Sequence, residues 1–177
     1  MKKNQIETNR TILRNFQEND LLDFFEYASV EGVGEAAGWP HHKSIEDSQK
    51  ILDMFINSNE VYAIYHKNDK KVIGSIGLHR KGWTVDKEEL KQYNKIELGY
   101  VLSKSYWGQG IMHESASALL EYAFNNGIEL ISCNHFLENK QSQRVIEKLG
   151  FKYDSNGIFH SSQMNKDFEE KRYLLWK

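Results

Sequence analysis

The chain has 177 residues with 23 basic and 25 acidic side chains, a formal charge of −2. That length fits one domain spanning 1–177 with a core that needs no staples, and the balanced charge argues against nonspecific nucleic-acid binding or a polybasic membrane surface. Hydrophobic residues make up 40% of the chain and aromatics 12%, too many for disorder, and the lone cysteine, Cys133, excludes a disulfide scaffold.

The start, Met1 to Glu7, is basic but has no apolar stretch behind it, so it does not read as a signal peptide. No apolar run reaches the ~18 residues of a membrane span, and the expected setting is the cytoplasm. A strand is predicted near Arg10–Phe16. A helix follows from about Asp20, with Leu21, Leu22, Phe24, Phe25 and Ala28 on one broad face. Gly32, Gly34 and Gly38, then Trp39-Pro40-His41, mark a loop. Ser44 with Asp47 three residues on reads as a helix start, and Ile45, Ile51, Leu52, Phe55 and Ile56 recur at helical spacing. Val61–Tyr65 and Lys71–Leu78 are strands of a hairpin turned at Asn68-Asp69.

Lys81–Asn94 is polar and reads as a long connection. Ile96–Leu102 is an apolar strand, and Gly110–Asn125 a helix with Gly127 just past its end. Leu130–Phe136 is a strand. Asn139 can cap a helix that runs to Leu149 and stops at Gly150. Phe151–Tyr153 and Glu169–Trp176 are the last two predicted strands, joined by a polar loop. The order is an α+β or α/β alternation around one sheet. The strands holding Val101 and Cys133 should run parallel, since a helix crosses between them.

The chemistry concentrates in two segments. The first runs from Ile96-Glu97-Leu98-Gly99-Tyr100-Val101-Leu102 to Tyr106-Trp107-Gly108-Gln109-Gly110. A helix N-terminus offers unpaired N–H groups, and glycines let a phosphate come close to them. The segment is neither a Walker loop nor a dinucleotide fingerprint. Taken alone, Gly108-Gln109-Gly110 is weak evidence, the alternative being a tight strand-to-helix turn with no ligand. The second is Glu138 to Phe151, where Asn139 caps a helix and Ser142 follows at N3. Glu97 is a carboxylate on an apolar strand, so burial should raise its pKa and suit it to act as a base. Its spacing of four residues from Val101 puts both side chains on one face. A strand-end carboxylate in an ion pair is the bland alternative.

Together the segments resemble the Gcn5-related N-acetyltransferase (GNAT) superfamily, and within it the branch of Rim-type ribosomal-protein N-terminal acetyltransferases. The resemblance rests on Gly-Tyr-Val-Leu, then Trp-Gly-x-Gly, then Asn139-x-x-Ser142 and Glu-Lys-Leu-Gly-Phe. It implies a mixed, mostly antiparallel sheet with helices on both faces and parallel strands that splay at Val101 to form an acyl-CoA slot. It implies acetyl-CoA (coenzyme A) as co-substrate and direct transfer to a primary amine, either a protein N-terminus or a small amine. The N–H groups from Trp107 through Gly108, Gln109, Gly110 and Ile111 to Met112 would hold the pyrophosphate. Val101, with Leu102 beside it, would face the thioester, the Val101 N–H serving as oxyanion donor. Asn139 and Ser142 would meet the pantetheine arm. Where the family pattern has Arg or Gln, this chain has Ser105, which removes one side-chain contact and leaves the backbone cradle.

The catalytic set is then Glu97 as base, Val101 as donor and Ser142 as proton source for the thiolate, unless Ser142 is only a cap residue. Trp39, in the loop where the resemblance places part of the acceptor wall, and His79, at a strand end, are with Glu97 the candidate acceptor-binding residues; core packing is an equal reading of Trp39. The seven histidines His41, His42, His66, His79, His113, His135 and His160 form no metal motif, so no metal is expected. A small polycation would want carboxylates, and Glu31, Glu35 and Glu97 could supply them; a protein N-terminus would want an open groove. A noncatalytic acyl-CoA-binding module is the alternative from another class. Monomer and homodimer are both open.

Overall fold

In the computed structural model, which describes residues 5–58, 60–84 and 87–177, eight strands form one sheet in the order β1-β2-β3-β4-β5-β6-β8-β7. Met1–Asn4 and, in the long connection, Val85 and Asp86 lie outside the described residues. The strands are β1 (Ile6–Glu7), β2 (Thr11–Asn15), β3 (Val61–His66), β4 (Lys71–His79), β5 (Lys95–Leu102), β6 (Leu130–Phe136), β7 (Lys152–Ser161) and β8 (Lys166–Trp176). The helices are α1 (Leu21–Ala28), α2 (Ile45–Ser58), α3 (Ile111–Asn125) and α4 (Lys140–Lys148). All neighbours pair antiparallel except β5 and β6, which run parallel because α3 crosses between them. Among the described residues no helix is long and apolar enough to cross a membrane.

The local signals act as their chemistry requires. Ser44 Oγ accepts from the Asp47 N–H at 3.3 Å while Asp47 Oδ2 accepts from the Ser44 N–H at 3.2 Å, a reciprocal cap that starts α2. Asn139 Oδ1 accepts from the Ser142 N–H at 3.0 Å and starts α4. Gly127 and Gly150 take left-handed φ values of 86° and 87° just past α3 and α4, where a side chain would strain the turn.

Each face of the sheet carries its own apolar cluster. α3 and α4 bury Ile111, Met112, Leu119, Leu120 and Ile146 against Ile96, Leu98 and Leu102 of β5. On the other face, α1 and α2 bury Phe24, Tyr27 and Leu52, with Val101 packed against them. Successive β5 side chains thus reach opposite clusters, as a pleated strand demands.

Two elements differ from the sequence reading. Strand β1 was not predicted; it is only two residues long. The expected polar loop after Tyr153 is instead most of a long hairpin, with β7 and β8 paired from Lys152↔Leu174 to Ser161↔Lys166. Polar side chains hid it, because β7 lies at the sheet edge and is mostly exposed. Gly157 is placed where the Arg172 guanidinium crosses the strand: a Cβ there would come within 2.2 Å of it.

Leu119 is fully buried between α3 and the sheet. Leu119→Ala is expected to cost about 2–5 kcal/mol in denaturant unfolding, with an unchanged m-value.

Candidate active site

The site begins where β5 and β6 stop pairing. Three residue pairs hold them together: Lys95↔Leu130, Ile96↔Ile131 and Glu97↔Ser132. Beyond that point β5 continues along β4 to Leu102 and β6 continues along β8 to Phe136. The strands therefore part after Glu97, earlier than the expected Val101. A cavity of about 390 Å³ opens between them.

Of the residues singled out in the sequence, Glu97, Val101, Leu102, Trp107, Gly108, Gly110, Ile111, Met112, Asn139 and Ser142 line this cavity. Gly108 and Gly110 hold φ values of 75° and 77°, and a Cβ on Gly108 would project into open space. Gly110 is also the N-cap of α3, so the first amides of that helix end at the cavity. Gln109 does not line it. Its side chain donates to the Ser105 carbonyl at 2.8 Å, and its own carbonyl accepts from Arg10 Nη1 at 2.9 Å.

The expected role of the Val101 amide is not supported by the register. Ser103 N–H donates to the Ile73 carbonyl at 2.8 Å, and Val101 pairs opposite Ser75 in the same ladder. The Val101 carbonyl also lies against Gly74, 2.4 Å from where its Cβ would be. Backbone groups alternate along a strand, so the Val101 N–H faces β4. The open side receives the amides of Tyr100 and Leu102 instead.

Glu97 sits on the face shared with Val101, as its spacing required. Its carboxylate accepts from the Trp83 N–H at 3.3 Å. It also rests on the Gly82 backbone, where a Cβ would lie 2.3 Å from Oε2. Burial pushes its pKa up to about 7, the nearby Glu170 carboxylate adds to this, and the Trp83 and Ser132 hydrogen bonds and Arg172 only partly offset it.

Across the cavity, Ser142 Oγ lies 2.8 Å from the Tyr100 hydroxyl. Burial raises the Tyr100 phenol well above its ordinary range, so it stays protonated. Tyr100 was missed as a site residue. Its only signal was the Gly-Tyr pair on β5, and the contact with Ser142 joins residues 42 apart in sequence. Cys133 is a free thiol buried at the cavity wall, and burial raises its pKa, which makes it unreactive.

The other acceptor candidates lie outside the cavity. Trp39 packs over Gly34, where a Cβ would meet its ring at 2.4 Å, and against His42 with ring centres 5.1 Å apart. It holds the loop together and does not face the cavity. His79 stands opposite Glu97 in the ladder, accompanies Glu60 at 3.3 Å and lies over Gly99, which does line the cavity. Among the described residues no group of His, Cys, Asp and Glu is gathered as a metal site.

Residues 10–152 match the acetyltransferase (GNAT) domain family. The chain belongs to the GNAT family. It is 26% identical over 152 residues to the uncharacterized N-acetyltransferase YoaA of Bacillus subtilis, covering 82% of this chain and 81% of that one. Its fold resembles a GNAT-family acetyltransferase from Bacillus anthracis with a TM-score of 0.82 at 21% identity, covering 98% of both chains. It also resembles the ribosomal-protein-S5-alanine acetyltransferase of Vibrio fischeri, with a TM-score of 0.70 at 18% identity over 99% of this chain and all of that one. The sheet of this GNAT chain, with its one parallel pair, is the fold those structures share.

The register makes a direct prediction. In the ligand-free protein the Tyr100 amide should exchange with solvent deuterium faster than the Val101 amide, by about tenfold or more. Hydrogen-exchange NMR resolving both amides checks this, and equal protection would return Val101 to the open side.

Proposed function

We propose that the chain is a cytoplasmic, acetyl-CoA-dependent N-acetyltransferase, one catalytic domain acting on a primary amine of a protein N-terminus or a small molecule. The observation that carries this reading is a single carboxylate, Glu97, held near pKa 7 at one side of a strand split whose other side opens on the Gly108–Gly110 cradle. The buried free thiol of Cys133 and the lack of charge bias suit a reducing compartment.

The residues fit coenzyme A. The N-terminus of α3 presents unpaired N–H groups to an anion, and the open space at Gly108 leaves room for a pyrophosphate. Acetyl-CoA supplies the thioester acyl group. Asn139, fixed by its cap bond, and Ser142 line the cavity and would border the arm that carries it.

An amine attacks only when neutral. Glu97 takes its proton, directly or through one water, and a base near pKa 7 is half available at neutral pH. Negative charge developing on the thioester oxygen meets a fixed N–H of β5; the amide of Tyr100 faces the right side. As the C–S bond breaks, the Ser142 hydroxyl would hydrogen-bond the leaving sulfur, and the proton taken up by Glu97 would pass through solvent to give the free thiol, which returns both side chains to their starting states. Because Tyr100 stays protonated, its hydroxyl can donate to Ser142 Oγ and turn the serine hydrogen toward the cavity.

Glu97→Gln is the central test. It should retain acetyl-CoA binding in calorimetry and lose roughly 10²–10⁴-fold in turnover. The wild-type kcat/KM should rise with pH through a midpoint near 7, because the active form is the carboxylate, and the variant should lack that limb. Stability should move the opposite way. A carboxyl whose folded pKa is raised loses stability as pH climbs through it, so Glu97→Gln should melt higher than wild type above about pH 8 and no higher below about pH 4. A variant-to-wild-type rate ratio near one at every pH removes Glu97 from the chemistry.

Gly108→Asp and Gly110→Asp add bulk, strain and negative charge to the cradle. Each should weaken acetyl-CoA binding by about tenfold or more, the effect of opposing an anion at a helix N-terminus. Unchanged calorimetric affinity in both would move the cofactor site elsewhere.

A further inference from the structure

The cavity has two sides of unlike chemistry. Toward α3 and α4 it offers glycine backbone, Asn139, Ser142 and the cations Arg144 and Lys148. Toward α1 its wall is Val33, Ala36, Ala37, Phe136 and Phe159. Pleat alternation along β6 puts Phe136 on the face of Ser132, which pairs with Glu97, so this apolar wall stands on the side of the base.

The wall is built and held. Asn139 Nδ2 donates to the Ala36 carbonyl at 3.1 Å, and the buried Ser161 hydroxyl donates to the Gly38 carbonyl at 2.7 Å. These bonds clamp the Ala36–Gly38 loop between α4 and β7. Gly38, with φ of 88°, lets the Phe159 ring sit on its backbone, where a Cβ would come within 2.6 Å. Phe136 lies 5.6 Å from Phe159 and stacks on Phe168 at 4.4 Å.

Carboxylates are scarce on this wall. Among the described residues Glu97 is the only one lining the cavity. Glu31 is exposed outside it, and its carbonyl accepts from Lys104. Glu35 is used up inside its own loop. Against the opposing effect of burial, N–H donation from His41 at 3.0 Å and Gly32 at 2.7 Å and the His41 ring at 2.8 Å hold its pKa down to about 2. Glu170 is buried and bound by Arg172 at 2.7 Å and by Asn134.

We infer that the acceptor is a monoamine with an apolar group, aliphatic or aromatic, close to the reacting nitrogen, and not a polycation. This rests on the acyl-transfer reading above. One ammonium can surrender its proton to Glu97. A second would be stripped of water against Val33, Ala37 and the phenylalanines with no carboxylate to meet it. Arg144 and Lys148 on the far side would repel it further. An apolar group next to the amine instead gains by covering the same wall. A small amine and a peptide N-terminus with an apolar first side chain share this chemistry.

The test is a thiol-release assay on the full chain at saturating acetyl-CoA. Phenethylamine and isoamylamine represent the apolar monoamines, ethanolamine a polar one and spermidine a polycation. Short peptides beginning with Phe, Leu, Ser or Lys form the second arm, and the arm that turns over faster names the source. Apolar acceptors should exceed ethanolamine and spermidine by about tenfold or more in kcat/KM, the usual scale of discrimination by a hydrophobic pocket. Phe159→Ala should erode that preference while the KM for acetyl-CoA holds. Ala37→Glu should raise the spermidine rate relative to phenethylamine. Spermidine or ethanolamine matching the apolar amines, in wild type, overturns the inference and leaves acyl transfer standing. Turnover of no amine, with acetyl-CoA bound in calorimetry, overturns acyl transfer and the inference with it.

Discussion

β5 and β6 are parallel strands that part company, and the hydrogen-bond ladder explains both the gap and its use. The amides of Glu97, Gly99 and Val101 are committed to β4. Those of Tyr100 and Leu102 point toward β6, which after Ser132 pairs only with β8. A buried N–H without a partner costs about 1–3 kcal/mol. A stretch of them therefore calls for water or for a ligand carrying acceptors along its length. An arm with amide carbonyls and a thioester oxygen would answer that need, which makes the split the surface on which the proposed acyl-CoA binding rests. Trp107 closes the far end by donating its indole N–H to the Leu102 carbonyl at 2.7 Å.

Glu97 stands at the last paired position before the gap, and that position sets its acidity. One residue earlier or later the side chain would turn to the opposite face and meet the α3 cluster. Here it is desolvated but not sealed, with one weak backbone donor from Trp83 and no direct ion pair among the described contacts. Arg172, whose charge favours the Glu97 carboxylate, is engaged with Glu170 instead. A direct pair with Arg172 would favour the carboxylate and lower its pKa, removing its value as a neutral-pH base. The Glu170–Arg172–Asn134 group thus preserves the perturbed acid by keeping the cation occupied.

Much of the fold was legible because its signals are local. Ser44 with Asp47, Asn139 with Ser142 and the glycines after α3 and α4 each act within one turn of chain. The crossover from Gly110 to Leu130 forced a parallel pair, and the alternation of Glu97 and Val101 gave their shared face. What was illegible depends on partners far away in sequence. The direction of the Val101 amide follows from which strand claims its neighbour, and a shift of one residue reverses it. The β7–β8 hairpin carries polar residues on an exposed edge, so no alternation of burial marks it. Trp39 stood open between an acceptor wall, on the family resemblance, and core packing; its ring fills the space above Gly34. The aromatic wall of Phe136 and Phe159 exists only once β7 is brought beside the Gly38 loop.

Ser105 offers a last case. The family resemblance expects an arginine or glutamine there, and its loss leaves the cradle without one side-chain clasp. The chain supplies a clasp from elsewhere. Arg10, just before β2, donates to the Gln109 carbonyl at 2.9 Å and pairs with Glu114 of α3 at 2.7 Å. Glu114 in turn accepts from Thr8 at 2.6 Å and from the Arg10 N–H at 2.8 Å. The loop is therefore gripped from outside the cavity by a cation that neutralises Glu114, an acid in the first turn of α3. A clasp inside the cavity would add one more contact to the ligand; a clasp behind it leaves the N–H groups of the cradle free and fixes their direction. Each such bond is partly exposed and individually worth little. Their combined effect is on geometry, holding two left-handed glycines in register with the N-terminus of α3, the end proposed to receive the anion.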